Sequence, residues 1–310
     1  MKPQDSNTAQ SSSQTQEGAL ANEPVEGLST SIEQHTIEKE KNISFQREKL
    51  QGIITSLEND ITSGYWIIAY YENIDLKMMP ALVKQANKKY PEMNLQFALT
   101  PQDFAHSLQE AIGRNVQCSR YIVNTQEKGN HFAVIDHQTI ENKASVIFFE
   151  PTTFMNNINA TLLGLRIKQA IEECQLPECY FSMAEMDIQR SPSECGIISL
   201  ALAKKFHTEA EELTRMHKDN VRGVLCEPDT HLPPDKLDSY LPARFYKHTQ
   251  GAKRLREYIK SNPETENQKV NKKGETLGER FKKNLVTKEG KAVSVSLHKK
   301  RITEYKSLMI

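Results

Sequence analysis

Apolar residues recur at helical spacing in the first part of the folded chain. Five of them, three or four positions apart, predict one amphipathic helix: Leu50, Ile53, Ile54, Leu57 and Ile61. A second helix is predicted at Pro80–Lys89, with the proline in its first turn, where its missing N–H costs nothing. A third is predicted at Asp103–Ile112.

The pattern then changes to short runs of β-branched and aromatic residues, which are typical of strands. Three such runs are Arg120–Asn124, His131–Asp136 and Ser145–Phe149. Residues 140–143 (IENK) supply turn chemistry between the last two, so these strands are predicted to pair antiparallel.

Helical and strand patterns alternate again after residue 150. They predict a helix at Ala160–Glu173, a short strand at Tyr180–Glu185 and a strongly apolar helix at Cys195–His207. Residues 191–193 (SPS) precede the last helix and suit a helix start. Helices followed by a strand meander with inserted helices indicate an α+β fold.

The N-terminal segment has a different composition. Seventeen of the first forty residues are Ser, Thr, Gln or Asn, so the segment cannot bury enough apolar surface to offset its ordering entropy. We therefore predict a disordered leader at 1–44, followed by a catalytic domain at 45–240. The leader is either a secretion and targeting signal or an ordinary flexible terminus. It lacks the apolar core of a Sec-type signal peptide. The sequence contains no run of 18 apolar residues, so we predict no membrane insertion.

The formal net charge of zero hides two opposite regions. Residues 241–310 hold 18 basic and 7 acidic residues, whereas residues 1–240 hold 22 basic and 33 acidic ones. We therefore assign 241–310 as a basic C-terminal regulatory region that would bind an anionic partner. The alternatives are a solvated basic tail or a nucleic-acid site, and we expect no nucleic acid because no nucleic-acid-binding motif is present.

The cysteines indicate reduced thiols. There are five, in a long chain without a CxxC pair, so neither a disulfide framework nor a metal site is predicted. Cys195 stands where a polar loop enters an apolar helix, and the positive end of the helix dipole favours a thiolate there. The alternative is that Cys195 is an ordinary core residue of this apolar helix.

A base and a carboxylate are predicted to meet at one edge of the sheet. His131 begins one strand of the predicted hairpin and Glu150 ends the other, so the hairpin brings them together, as an oriented catalytic histidine requires. His131 is otherwise a structural residue. Gln189, six positions before Cys195, is a candidate oxyanion donor or else a loop residue that forms a turn.

The order His131, Glu150, Gln189, Cys195 resembles the ubiquitin-like-protease clan of cysteine proteases. Over roughly residues 45–310 the chain also resembles the YopJ family of type III secreted effectors. The matching strings are MPALVKQANKKYPEMNL, HFAVID, FFEP, FSMAEMDIQRSPSECGIISLALAKK, LPARFYKHTQGAKRL and HKKRITEYK.

This resemblance implies a protease-like core, with a flanking helical regulatory region, that works as an acetyltransferase. It implies Cys195 as the nucleophile, His131 as the base and Glu150 as the orienting carboxylate. Acetyl would pass from acetyl-CoA, through a cysteine thioester, to Ser, Thr or Lys of host MAP kinase kinases and IκB kinase. The implied location is type III secretion followed by action in the host cytoplasm.

Inositol hexakisphosphate is the activator that the resemblance implies, in agreement with the basic C-terminal region. The candidate cofactor-binding residues are Lys247, His248, Lys253, Arg254, Lys299 and Arg301. Lys247 is also the candidate for autoacetylation. Two alternatives stay open: a ubiquitin or SUMO protease with the same triad, and a catalytically idle protein that only binds kinases.

Overall fold

A five-stranded sheet lies at the centre of a computed structural model that describes residues 46–126, 129, 131–155, 157–227, 229–288 and 290–309. The predicted leader at 1–44 lies outside the described residues. The strands follow the chain in spatial order: β1 Leu95–Ala98, β2 Cys118–Asn124, β3 Phe132–Ile140, β4 Lys143–Glu150 and β5 Cys179–Glu185. The β2–β3 and β3–β4 pairs are antiparallel, and each edge strand pairs in parallel with its neighbour.

The hairpin predicted from the sequence is confirmed. In the β3–β4 register Ile140 faces Lys143, and the two residues between them, Glu141 and Asn142, have φ of 51° and 65°. Two consecutive positive φ values match a two-residue turn whose twist suits the flanking strands. The turn therefore places the start of β3 beside the end of β4.

Helices cover both faces of the sheet. The bounds in the structure are α1 46–63, α2 Glu72–Lys89, α3 Pro101–Gly113, α4 Ile158–Glu173, α5 Cys195–Thr208, α6 Ala210–Val221, α7 Pro234–Leu237, α8 Ala252–Ser261, α9 Leu277–Asn284 and α10 Ser296–Ser307. A second hairpin, β6 Leu285–Lys288 and β7 Lys291–Ser294, lies between α9 and α10. The α+β class is confirmed.

Successive side chains of the strands point to opposite faces of the sheet, and a hydrophobic core lies on each face. On β3, Phe132 and Val134 belong to the larger core, which also contains residues of α2 and α5. Ala133 and Ile135 point to the opposite face and belong to the smaller core, with residues of α3 and α4. Because successive side chains of a strand point to opposite faces, β3 is buried on both sides and reads as a continuous apolar run.

The prediction that a helix begins at Pro80 is wrong. Helix α2 begins eight residues earlier, at Glu72, and Pro80 lies inside it. An internal proline loses a backbone hydrogen bond and costs about 3 kcal/mol in isolation. Burial of the helix compensates for this cost. Three of its side chains are at most 1 % exposed: Asp75 and Met79 before the proline, and Leu82 after it.

Strand β1 was not predicted, because its four residues (LQFA) include no β-branched residue. Two features outside the strand support it. It pairs in parallel with β2, and the Asn87 side chain of α2 donates to the Leu95 carbonyl (2.7 Å) and accepts from the Leu95 N–H (3.0 Å). Tertiary contacts therefore specify this edge strand.

The basic C-terminal region is folded, and it belongs to one compact unit with the described residues from Leu50 onward. The predicted boundary between residues 240 and 241 stays a prediction. No helix in the described part of the chain combines the length and apolar character that crossing a bilayer requires. Nowhere among the described residues do three or more His, Cys, Asp or Glu side chains gather as a metal site would require.

Candidate active site

His131 and Glu150 meet at one end of the β3–β4 hairpin. His131 Nε2 lies 2.9 Å from Glu150 Oε2, and the two side chains are almost completely buried. The other carboxylate oxygen, Oε1, accepts the backbone N–H of Thr152 at 3.0 Å. Glu150 is thus held at both oxygens, and it holds the imidazole in one orientation.

Cys195 is the first residue of α5 and is 1 % exposed. Helix α5 packs against β2 and β3, which brings its N-terminus to the strand end where His131 lies. A hydrogen bond joins the Cys195 and His131 side chains. Since Nε2 faces Glu150, Nδ1 is the ring nitrogen left for the thiol.

Gly196, the next residue, lets helix α2 approach this site closely. A Cβ at this position would lie 3.0 Å from Asp75 Oδ2 and 3.2 Å from Asp75 Cβ. The space that a side chain would need is therefore filled by α2, and the close packing of α2 against the start of α5 supports the geometry around Cys195.

The histidine of this cluster is held in its charged form. Burial by itself lowers the pKa of His131, but the charge of Glu150 and the hydrogen bonds with Cys195 and Glu150 more than offset it and raise the pKa to about 10. An imidazolium next to a sulfur stabilises the thiolate, which is the nucleophilic form. The cluster therefore suits nucleophilic attack on a carbonyl or thioester carbon.

This raised pKa predicts that the site contributes less stability as pH rises. The folded state holds the His131 proton up to about pH 10, whereas an unfolded histidine loses it near pH 6.5. The stabilisation is thus complete below pH 6.5 and falls by up to about 1.4 kcal/mol per pH unit between these values. We expect the difference in free energy of unfolding between wild type and His131→Gln to shrink from pH 6.5 to 10; a constant difference would contradict the assignment.

Gln189 lies in the loop between β5 and α5. Its side-chain Nε2 donates to the Ser191 carbonyl at 2.9 Å, and among the described residues its buried Oε1 has no hydrogen-bond donor. The backbone N–H groups of Ile188 and Gln189 both donate to the Pro151 carbonyl, so the loop is tied to the residue after Glu150. Its role as an oxyanion donor stays a prediction.

The serines before Cys195 do not cap helix α5. The N-cap residue is Glu194, which makes no side-chain cap. Ser193 Oγ instead donates to the Ala69 carbonyl at 2.8 Å, and Ser191 Oγ contacts Gln250 Oε1 at 3.1 Å. These serines therefore connect residues 186–194, which we call the nucleophile loop, to distant parts of the chain, and the local pattern could not reveal this.

A basic cleft of about 720 Å³ lies at the other end of α5. We call it the basic cleft because its lining includes one acidic residue, Glu304, and seven basic ones: Lys89, Lys204, Lys205, Arg244, Lys247, Lys272 and Lys300. They come from α2, α5, α10 and the segments between α7 and α9. Only Lys247 among them was predicted from the sequence as a site residue. Lys89, Lys204 and Lys205 lie outside the basic C-terminal region, and nothing local distinguishes Lys300 from its predicted neighbours Lys299 and Arg301.

Charge crowding in the basic cleft is visible at Lys247. Burial, followed by the charges of Lys205, Lys300 and Arg280, lowers the pKa of Lys247 to about 8. Burial likewise lowers the pKa of Lys204, against the opposing charge of Glu304 at 2.7 Å. Such crowding would be relieved by a bound polyanion.

The six predicted cofactor-binding residues do not share one surface. Lys247 lines the basic cleft, whereas Lys253 is exposed and lines a second pocket. His248 is buried, with Nδ1 2.8 Å from Ser296 Oγ, and burial lowers its pKa well below the usual value. Lys299 donates to Asn284 Oδ1 at 3.1 Å.

The two arginines of this set are buried inside the protein. Arg254 donates to both carboxylate oxygens of Asp238 and to the Met186 carbonyl. Arg301 is completely buried against Asp75 and Glu194. Their hydrogen-bonding groups are occupied by protein atoms, and their predicted part in cofactor binding stays untested.

The second pocket, of about 580 Å³, adjoins the loop before Cys195. Residues 190–192 (RSP) of that loop form one wall, and Lys253 and Lys291 add positive charge from the C-terminal region. Ile68 and Tyr70, whose side chains are exposed, add apolar surface to the lining. We call this the loop pocket.

Comparison with known families and curated proteins covers nearly the whole described chain. A family model described as YopJ serine/threonine acetyltransferase matches residues 50–307. Serine/threonine-protein acetyltransferase YopJ from Yersinia pestis is 52% identical over 272 residues, which are 88% of this chain and 94% of that protein. YopJ from Yersinia pseudotuberculosis is 51% identical with the same coverage.

Solved structures share the fold. A deletion variant of AvrA, solved with IP6 (inositol hexakisphosphate) and CoA, matches with a TM-score of 0.82 and 50% identity, over 85% of this chain and 98% of that one. HopZ1a in complex with IP6 and CoA matches with a TM-score of 0.64 and 18% identity, over 78% and 86% of the two chains. At this lower identity the HopZ1a likeness concerns the fold alone.

Proposed function

This chain belongs to the YopJ serine/threonine acetyltransferase family, and from that membership we propose that Cys195 takes the acetyl group from acetyl-CoA and passes it to side chains of host kinases. The observation that supports the proposal most directly is the buried cluster of Cys195, His131 and Glu150, with the histidine held as a cation. The acceptors we propose are Ser, Thr and Lys of MAP kinase kinases and IκB kinase.

In the first half-reaction, the Cys195 thiolate attacks the thioester carbonyl of acetyl-CoA. The carbonyl oxygen becomes an oxyanion, which the Cys195 backbone N–H and the Gln189 side-chain amide would stabilise. The C–S bond to CoA then breaks, and the His131 imidazolium gives its proton to the departing CoA thiolate. The products are free CoA, acetyl-Cys195 and a neutral His131.

In the second half-reaction, the neutral His131 acts as the base. It takes the proton of the acceptor hydroxyl or amine as that group attacks the acetyl-Cys195 carbonyl. The Cys195 thiolate leaves, and the imidazolium–thiolate pair is restored. Glu150 keeps the ring oriented in both steps and stabilises its charged form.

The loop pocket and the basic cleft fit the two polyanions present in the AvrA and HopZ1a structures. We assign acetyl-CoA to the loop pocket, because Lys253 and Lys291 place positive charge on a surface next to the nucleophile loop, whose Arg190 is paired with Asp187. We assign inositol hexakisphosphate to the basic cleft, whose seven basic residues would meet its phosphates. Lys247 is thereby a ligand of the activator as well as our candidate for autoacetylation.

The biological setting we propose is that of a secreted effector. Type III secretion would deliver the protein to the host cytoplasm, where inositol hexakisphosphate is present. Acetylation of an activation-loop hydroxyl would block its phosphorylation and so inhibit immune signalling.

The decisive experiment uses the full chain, radiolabelled acetyl-CoA, inositol hexakisphosphate and a MAP kinase kinase. We expect label on Cys195 after rapid quenching and on the kinase at longer times, with the acceptor residues identified by mass spectrometry. If neither protein is labelled with both small molecules present, the proposal fails.

Two further measurements separate the alternatives. Turnover of a fluorogenic ubiquitin or SUMO substrate without inositol hexakisphosphate would indicate a protease with the same triad. Full inhibition of host signalling by a Cys195→Ala variant would indicate a protein that only binds kinases.

The depressed pKa of Lys247 predicts proton uptake when the activator binds. Near pH 8 about half of the Lys247 side chains lack a proton, and nearby phosphates would raise that pKa again. We expect titration calorimetry in buffers of different ionisation enthalpy to show protons taken up at pH 8, with weaker binding at higher salt.

Lys247→Met should remove this proton uptake and weaken binding roughly tenfold, the effect expected for one charge-assisted contact. Lys260→Met is the control, because Lys260 is exposed and does not line the basic cleft. Equal proton uptake in the wild type and in Lys247→Met would place the activator elsewhere.

A further inference from the structure

Arg301 of helix α10 is buried against the residues that come directly before Cys195. Its Nη2 donates to the Ser193 carbonyl at 2.6 Å, and its Nη1 lies 3.0 Å from Glu194 Oε2. The same guanidinium donates from Nε and Nη2 to the two carboxylate oxygens of Asp75, at 2.9 and 3.0 Å. One side chain thus joins α10, α2 and the nucleophile loop.

These contacts act on the peptide groups that orient the nucleophile. Glu194 is the N-cap of α5, and its carbonyl accepts the Ile198 N–H at 2.9 Å, an early hydrogen bond of that helix. The Glu194–Cys195 peptide carries the N–H that would face the oxyanion. Arg301 holds the Ser193 carbonyl and the Glu194 carboxylate, and it thereby fixes the residues directly before the peptide that carries this N–H.

Arg301 is held in place because the groups around it make further contacts with one another. Tyr305 OH donates to Asp75 Oδ1 at 2.6 Å, and the guanidinium lies over the Tyr71 ring at 4.6 Å. Burial raises the pKa of Glu194, and the charge of Arg301 counteracts this shift. Without Arg301, two buried carboxylates, of Asp75 and Glu194, would face each other without a cation between them.

Helix α10 also reaches the basic cleft from its other face. Lys300 and Glu304 line the cleft, whereas Arg301 and Tyr305 face α2 and the nucleophile loop. A ligand that holds this helix from the cleft would therefore also hold Arg301.

We propose that Arg301 is a positioning residue for acyl transfer, through which helix α10 sets the geometry of the peptide groups before Cys195. This inference rests on the proposed acetyltransferase function. It gives Arg301 no contact with acetyl-CoA or with inositol hexakisphosphate.

The test measures formation of acetyl-Cys195 in a single turnover by the full chain, at varied acetyl-CoA and varied inositol hexakisphosphate. Arg301→Lys keeps one positive charge, but a compact ammonium cannot bridge Asp75, Ser193 and Glu194 together. We expect the maximal rate to fall about 10²-fold, the order of loss caused by a misplaced reacting group. The half-saturating acetyl-CoA and half-activating inositol hexakisphosphate concentrations should stay within about twofold of the wild type.

Arg120→Lys is the matched control. Arg120 is also a buried arginine, paired with Asp136 at 2.8 Å, and lies on β2 toward the end of the sheet away from His131. We expect Arg120→Lys to lose thermal stability as Arg301→Lys does, while keeping the maximal rate.

Tyr305→Phe is the milder second variant if Arg301→Lys does not fold. We expect its maximal rate to fall about fivefold, the effect of one lost hydrogen bond.

Three results would overturn the inference. The first is an unchanged maximal rate in folded Arg301→Lys or, should that variant not fold, in Tyr305→Phe. The second is an equal loss of rate in Arg120→Lys. The third is a raised half-activating concentration of inositol hexakisphosphate in Arg301→Lys with the maximal rate kept, which would make Arg301 a phosphate ligand. Absence of acetyl-Cys195 in the wild type is a different outcome, because it contradicts the proposed function itself.

Discussion

Cys195→Ala is expected to abolish acetyl transfer, with a loss of at least about 10⁴-fold, because in the proposed mechanism the acetyl group passes through the Cys195 sulfur. Cys195 is 1 % exposed, and alanine keeps the shape of the site except for the sulfur atom. The fold should therefore persist, and binding of inositol hexakisphosphate in the distant basic cleft should be unchanged. Rapid-quench mass spectrometry of the protein after mixing with acetyl-CoA provides the measurement.

Cys226→Ala is the control for this loss. Cys226 is a half-buried cysteine whose Sγ lies 3.5 Å from Ser182 Oγ, on another part of the molecule. It should form the acetyl-enzyme at the wild-type rate. Transfer of label to the kinase by Cys195→Ala at even a few per cent of the wild-type rate would show that the acetyl group takes another route.

Glu150→Gln is expected to give the second largest loss, about 10³-fold in acyl transfer, because an uncharged amide replaces the group that orients His131 and supports its charge. The amide oxygen can still accept the Thr152 N–H, so the local structure should survive. Loss of the Glu150 charge lowers the pKa of His131 from about 10. We therefore expect the alkaline decline of acetyl-Cys195 formation to move to lower pH, as a pH–rate profile would show.

Glu185→Gln is the matched control, since Glu185 faces Glu150 on the neighbouring strand β5. Its carboxylate accepts the Phe154 N–H at 2.9 Å, so the substitution disturbs a comparable local contact without touching His131. We expect the pH–rate profile of this variant to follow that of the wild type. The same shift of the profile in both variants would mean that the effect comes from general charge and not from the His131–Glu150 pair.

Much of the sheet and the central cluster of the site could be predicted, because both depend on local patterns. The IENK turn and the strand periodicity specify the β3–β4 register, and that register brings Glu150 to His131. Cys195 was recognisable because an apolar helix begins at that residue. The long agreement with the YopJ family then indicated a chemistry that the three side chains alone leave open.

Local patterns did not determine the start of helix α2 or the existence of strand β1. In both, a weak or unfavourable local preference is overcome by contacts from elsewhere, such as the Asn87 side chain on Leu95. The serines before Cys195 show the same limit, because their hydrogen bonds reach Ala69 and Gln250 instead of the helix end.

The sequence by itself determined that a basic region follows an acidic body and that Cys195, His131 and Glu150 occur in an order compatible with catalysis. Only the tertiary structure decided which basic residues are available to a ligand. Lys247 stays in an open cleft with Lys205 and Lys300, whereas Arg301, next to Lys300 in the chain, is turned inward to Asp75. The physical reason is that adjacent residues of a helix point about 100° apart, so what packs against each face decides whether a charge meets solvent or a buried carboxylate.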